Sequence, residues 1–236
     1  MCANYQPPTR ADLEDYFGAT LPAGVDLPEA YPGSRAPIIR RAGDATDTSA
    51  RRRTADLALF GLVPHWADSA LARRTYNARS ETVASKPSFR DAYRHGRFCV
   101  IPAQVIYEPN YESGNAVRFA IAQADRSPMG IAGIWEHRSG TDGESLLSFS
   151  MLTINADEHP LMRRFHKPGD EKRMVVMLPP DRIDAWLDSG CQDAPAFFLP
   201  YPAEALTAQA APKADRLGGK APAKTREAAQ QGFPGM

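Results

Sequence analysis

Apolar residues along the chain come in short runs rather than in long helical stripes. Residues 57–63, 98–107, 117–122, 130–135, 149–154 and 174–178 are rich in β-branched and aromatic side chains and are bounded by Gly, Pro, Asn or Asp. That pattern predicts strands. Pro87 stands at a first helical position with Gly96 just past SFRDAYRH, and Pro180 and Gly190 bracket DRIDAWLDS in the same way, which predicts two short helices. HPLMRRF, ahead of His166, reads as a further helical stretch. Strands outnumber helices and no regular βαβ alternation is visible. The expected class is therefore α+β: one domain around a curved, mostly antiparallel sheet, barrel-like at its core, with short flanking helices.

From Ala203 onward the pattern fades into Ala, Lys, Gly and Pro with almost no large apolar residue before Phe233. The expected division is a folded domain over 1–202 and a mobile, weakly basic tail over 203–236. A chain of 236 residues with 43% hydrophobic and 24% charged residues can bury a sizeable core, which excludes a wholly disordered or fibrous protein. Lys plus Arg balances Asp plus Glu at 28 each, which excludes a uniformly basic coat but not a local basic groove. There is no run of about eighteen apolar residues and no secretory signal pattern at the start, so a cytoplasmic location and no membrane partner are expected. The three cysteines, Cys2, Cys99 and Cys191, are widely spaced, which suits a reducing compartment. No His/Cys/carboxylate set has zinc-type spacing, and no dinucleotide or P-loop glycine pattern occurs, so neither metal nor small-molecule cofactor is expected.

Candidate chemistry begins at Cys2. Removal of Met1 would leave a free 1,2-aminothiol, with an α-amine of pKa about 7.7 to 8.0 beside a thiol of about 8.5. An aldehyde meeting this pair is captured by the amine as an imine and closed by sulfur into a five-membered thiazolidine. The plainer reading of Cys2 is a small residue in a frayed terminus. Glu108 ends the apolar run CVIPAQVIYE, where burial can raise a carboxylate's proton affinity; an exposed strand-end Glu is the alternative. Asn77 and Arg79 lie in the polar stretch NARSET, between Arg73 and Arg74 upstream and Arg90, Arg94 and Arg97 downstream, which also reads as a solvated loop and helix face. His166, beside a charged turn, is the best acid/base candidate of the five histidines, because an imidazole can accept or donate a proton near neutrality. His65, His95, His137 and His159 read as surface or packing residues, and Cys99, inside FCVI, as an inert buried thiol.

Taken in order, Met1-Cys2, GLVPHWA at 61–67, NARSET at 77–82, CVIPA followed by Tyr107-Glu108, and TINA at 153–156 leading to His166 and Arg173-Met174 resemble the SRAP family of SOS-response-associated peptidases over about residues 1–190. The resemblance implies covalent capture of abasic sites in single-stranded DNA through a Cys2 thiazolidine, after loss of Met1. Under it, Cys2 matches the nucleophile, Asn77 the residue that positions it, Glu108 a catalytic carboxylate, and His166 the histidine that assists sugar opening. Arg79 and Arg173 match backbone-phosphate contacts. Trp66 and Pro64 are candidates to wedge or stack at the lesion, with a packed core Trp as the alternative. Asn4, kept among the DNA-side residues, stands in Ala3-Asn4 where many members have Gly-Arg. Other departures are Phe60 for a usual Trp, Val105-Ile106 for Gly-Phe, Pro109 for Trp, Val175 for Pro, and a longer segment between His166 and Arg173.

Three functions follow as expectations. The first is abasic-site crosslinking by a monomer, cytoplasmic and nucleoid-associated when on DNA, with Met1 removed either by the chain itself or by an aminopeptidase and with a lyase path through the imine as a side reaction. The second is a thiol peptidase or amidohydrolase acting in trans. The third is a non-covalent single-stranded DNA-binding module in which arginines hold phosphates and Cys2 is incidental.

Overall fold

The computed structural model describes residues 2–42, 53–139 and 145–213. In chain order these form β1 (Tyr5–Gln6), α1 (Arg10–Asp15), β2 (Arg35–Arg41), β3 (Arg53–Phe60), β4 (Asn77–Arg79), α2 (Arg90–Arg94), β5 (Phe98–Ala103), β6 (Val105–Asn110), β7 (Val117–Gln123), β8 (Met129–Ser139), β9 (Ser145–Asn155), β10 (Arg173–Val175), β11 (Met177–Leu178), α3 (Ile183–Leu187) and β12 (Leu206–Ala210). Strands β9, β3, β2, β5 and β8 are hydrogen-bonded in succession, and the β8–β9 pairing returns to the start, so the five close into a barrel. Closure leaves the barrel strands no free edge. All these pairings are antiparallel except β3 with β9. β4 also runs parallel to β9, while β10 and β11 extend the barrel sheet antiparallel to β9 and β8.

A second, antiparallel sheet has the order β1-β6-β7-β12. The apolar run 98–107, expected as one strand, is divided between the two sheets. At Gln104 the backbone N–H donates to Gln6 O at 2.8 Å, and the chain steps from the barrel into the second sheet. The sheets share a core: Tyr5 of β1 packs edge-on against Phe60 of β3, and Phe60 stacks on Phe149 of β9 at 5.1 Å. Cys99 is fully buried, as its surroundings in the sequence require. Trp186 of α3 covers β5, donating from Nε1 to Cys99 O at 2.8 Å and stacking on Phe98.

The α+β class, the barrel-like core and the short helices agree with the expectation, but several local expectations change. Residues 203–210 do not open the tail. Leu206–Ala210 forms the edge strand β12, whose small residues pair in register with Phe119–Gln123 of β7, and the rest of the expected tail, residues 214–236, lies outside the described residues. HPLMRRF supplies only a 3-10 turn at Met162–Arg164. The NARSET stretch is not a loop throughout, because Asn77–Arg79 is drawn into the barrel sheet as β4. What delivers β4 there is a close approach at Gly61. This residue has φ of 123°, and a Cβ at its position would lie 2.0 Å from Ala72 O, in the 3-10 turn Ser69–Arg74 that leads into β4.

Candidate functional site

The site is assembled on β6. Its residues alternate in burial so strictly that Ile106, Glu108 and Asn110 share the inward face. Glu108 is thereby 3% exposed, the buried reading of that residue. β1 pairs with β6 through Tyr5 opposite Ile106, and the Tyr107 N–H continues the ladder by donating to Asn4 O at 2.9 Å. The ladder brings Cys2 in beside Glu108. Cys2 is 2% exposed and its thiol donates to Asn4 O at 3.6 Å. From the barrel side, Asn77 at the head of β4 donates from Nδ2 to Cys2 O at 2.7 Å. Its Oδ1 is buried and, among the described residues, has no donor. Cys2 is a fixed residue, not a frayed one.

His166 is tied to the far end of the same strand. Phe165 bridges Asn110, Asn110 donates from Nδ2 to Arg164 O at 3.1 Å, and the His166 N–H donates to Pro109 O at 2.9 Å. The backbone of His166 then turns through φ of 66°, a left-handed conformation uncommon outside glycine. Its Nε2 stands 3.1 Å from Glu108 Oε2. Cys2, Asn77, Glu108 and His166 thus meet in one centre.

Burial pushes the Cys2 thiol far above its usual range, and the Glu108 charge adds to the effect. The thiol is held neutral at neutral pH. Burial, followed by Glu108 and Cys2, also raises the half-buried Tyr76 phenol, which places this ring in the same electrostatic neighbourhood. Sequence reasoning missed Tyr76; its only signal was adjacency to Asn77.

The expected DNA-side residues separate into three groups. Arg79, at the end of β4, is about half exposed, and its Nη1 pairs with Glu171 at 2.7 Å. Arg173 is only 2% exposed, and its guanidinium is held by carboxylates. Its guanidinium meets both carboxylate oxygens of Glu81 at 2.9 and 2.8 Å, Glu171 at 2.7 Å and Thr153 O at 2.7 Å. A buried cation requires such partners, so carboxylates have taken the place of solvent. Asn4 also faces inward: Nδ2 donates to Ala30 O and Oδ1 accepts from Arg118 Nη2 at 2.9 Å. Arg118, missed from the sequence, lies over the Tyr107 ring and pairs with Glu29.

Trp66 is 55% exposed, so the packed-core alternative does not apply to it, while Pro64 beside it is buried. His159 has the packing role expected of it: its ring reaches Tyr201 O at 2.8 Å, and Nδ1 accepts the Leu161 and Met162 N–H groups. Among the described residues no group of three or more His, Cys, Asp or Glu is placed to hold a metal ion, and no helix is long and apolar enough to cross a membrane.

Comparison with known proteins finds that the family model for the SOS response associated peptidase (SRAP) matches residues 1–214. The abasic site processing protein YoaM of Bacillus subtilis is 30% identical over 154 residues, covering 63% of this chain and 64% of that protein. The abasic site processing protein HMCES of Xenopus tropicalis is 26% identical over 187 residues, covering 68% of this chain and 53% of that protein. The matched region thus spans a little under two thirds of YoaM and about half of HMCES. A protein of known crystal structure from Bordetella bronchiseptica superimposes with a TM-score of 0.80 at 38% identity, over 89% of this chain and 99% of that one. Another from Bacteroides thetaiotaomicron, 21% identical over 89% of this chain and 91% of its own, shares the fold with a TM-score of 0.73.

Proposed function

We propose, from the premise that this chain belongs to the SOS response associated peptidase (SRAP) family, that it processes abasic sites by capturing them covalently in single-stranded DNA through Cys2. The carrying observation is the meeting of four residues from separate parts of the chain: Asn77 on the Cys2 carbonyl at 2.7 Å, and His166 on Glu108 at 3.1 Å beside the Cys2 thiol. The relatives described as abasic site processing proteins support the substrate class.

The chemistry closes without a cofactor. Hydrolysis of the Met1–Cys2 peptide consumes one water and frees the Cys2 amine. The opened deoxyribose presents an aldehyde; the amine adds to its carbon, the oxygen leaves as water to give an imine, and sulfur then adds to the same carbon. The thiol proton passes to nitrogen, and the thiazolidine contains one new C–N and one new C–S bond. His166 and Glu108 form a proton-moving pair that can open the sugar, dehydrate the carbinolamine and accept the thiol proton at the moment of ring closure. Asn77 holds the terminus in register, and its buried Oδ1 offers an acceptor beside the backbone of Cys2. Arg79 and Trp66 are the exposed groups available for phosphate and base contact, and the partner is DNA engaged by a cytoplasmic monomer.

A peptidase acting in trans fits this centre less well, since its nucleophile would be a thiol that burial and Glu108 keep protonated. A purely non-covalent module leaves the fixed Cys2 and the Glu108–His166 pair without a task. Intact mass before and after mixing with an abasic oligonucleotide tests the proposal. The expected result is a chain lacking Met1 that gains the mass of the oligonucleotide less one water. A chain that keeps Met1, or that emerges unchanged, overturns it.

A further inference from the structure

Between Arg79 and Arg173 lies a place for one anion, and Glu171 fills it. One of its carboxylate oxygens meets Arg79 Nη1 at 2.7 Å and the other meets Arg173 Nη1 at 2.7 Å, while Asn155 Nδ2 approaches at 3.3 Å. Two cations from different strands converging on one carboxylate is the geometry by which proteins take up a phosphodiester. Glu171 belongs to a six-residue strap, 167–172, that follows His166 and precedes β10. The strap is tied at its base, where Lys172 N–H donates to Asp157 Oδ1 and Lys172 Nζ donates to Lys167 O. Glu171, by contrast, is one third exposed.

Geometry decides which carboxylate can leave, because Glu81 gives Arg173 both of its oxygens whereas Glu171 gives it one. Glu81 grips Arg173 with both oxygens and neutralises it. With Glu171 in place the four groups sum to zero; with Glu171 swung out they sum to plus one, matching the single negative charge of one phosphodiester. Exchange of one monoanion for another leaves the buried Arg173 compensated throughout. Arg173 and, after it, Asn155 and Arg79 also hold the Glu171 carboxyl below the usual range, so the competitor is charged at neutral pH.

We propose that Glu171 is a built-in stand-in for a DNA phosphate and sets the affinity of this chain for single-stranded DNA by competing for the Arg79–Arg173 seat. The inference rests on the reading that this face binds DNA, and it assigns the strap a task that reading leaves open. Resting-state neutrality also limits retention of ions and of duplex DNA by the bare seat, because an occupied cation pair attracts no second anion.

The test is titration of a labelled single-stranded oligonucleotide that lacks any abasic site, at low salt, against the full chain and its variants. Glu171→Gln should bind roughly threefold to tenfold more tightly, about 0.7 to 1.4 kcal/mol. In an Arg79→Ala background the same substitution should gain nothing, because the seat is then incomplete. Asp181→Asn, which removes one negative charge from an exposed site in another part of the fold, reports how much of any gain is net charge alone. Should Glu171→Gln fold poorly by thermal melt, Glu171→Asp serves instead: it keeps the charge, is too short to bridge both arginines, and should give a smaller gain in the same direction. No gain, a gain equal to that of Asp181→Asn, or a gain that survives Arg79→Ala overturns the inference. Covalent capture of an abasic oligonucleotide by the wild type is scored separately. A chain that captures but shows no Glu171 effect loses only this inference, whereas one that neither captures nor binds loses both readings.

Discussion

The Cys2–Glu108–His166 centre and the Arg79–Arg173 cluster border the same barrel, yet they are built in opposite ways. In the first, the functional atoms are buried and their positions come from backbone: the β1–β6 ladder, the Phe165 bridge to Asn110 and the His166 N–H on Pro109. In the second, positions come from side-chain charge, four ionised groups neutralising one another, two of them half exposed and one a third exposed. Main-chain ladders fix distances to within tenths of an ångström, as bond-making requires. Ion pairs at a surface are weak and exchangeable, as reversible contact with a polymer requires. The contrast assigns chemistry to the first region and affinity to the second.

Substitutions can break that contrast. The largest effect is expected from Cys2→Ala, which should eliminate the denaturation-resistant DNA adduct altogether on a gel. Glu108→Gln, nearly isosteric, should still form the adduct but about 10²- to 10⁴-fold more slowly in a single-turnover time course, the usual worth of a positioned proton carrier. Arg173→Ala should show mainly in stability. Removing one member of a fully buried pair costs about 3 to 5 kcal/mol, and the partial exposure of Glu81 and Glu171 reduces this to about 2 kcal/mol in a denaturant titration. An adduct rate lowered by Arg173→Ala as much as by Glu108→Gln, at saturating DNA, would mean that the two regions are not separable.

The smallest effect is expected at Glu112, whose exposed pair with Arg164 flanks the turn into His166. Arg164 hydrogen bonds hold this carboxyl down from 4.5 to about 2. The contribution is therefore complete above pH 4.5 and disappears as pH falls through about 2. Glu112→Gln should lower the melting temperature by about 1 °C or less above pH 4.5, with the difference vanishing below about pH 2.

What could be read from the sequence follows the same division. Glu108, Cys2 and His166 are legible because their chemistry and motif order single them out, but the sequence leaves the burial of Glu108 open and only the alternation along β6 decides its face. Arg173 is not. Its burial depends on Glu81 and Glu171, 92 and 2 residues away, and nothing local distinguishes a caged guanidinium from a free one. Strand β2 was missed because Pro37 and three arginines disguise RAPIIRR, although Pro37 sits opposite Leu57 in a regular register. β4 was missed because Asn77-Ala78-Arg79, one small residue between two polar ones, becomes a strand only by lying beside β9. β12 was missed because an edge strand of small residues carries too little apolar signal to separate it from a tail.

One strand carries a wider consequence. The thiol by way of Asn4, the carboxylate directly and the imidazole by way of Phe165 all take their places from β6. If that strand loosens, the reacting groups scatter together; if it holds, wear elsewhere in the molecule leaves their spacing intact. Reactivity in this chain is then an all-or-none property, inherited from the cooperativity of a single ladder.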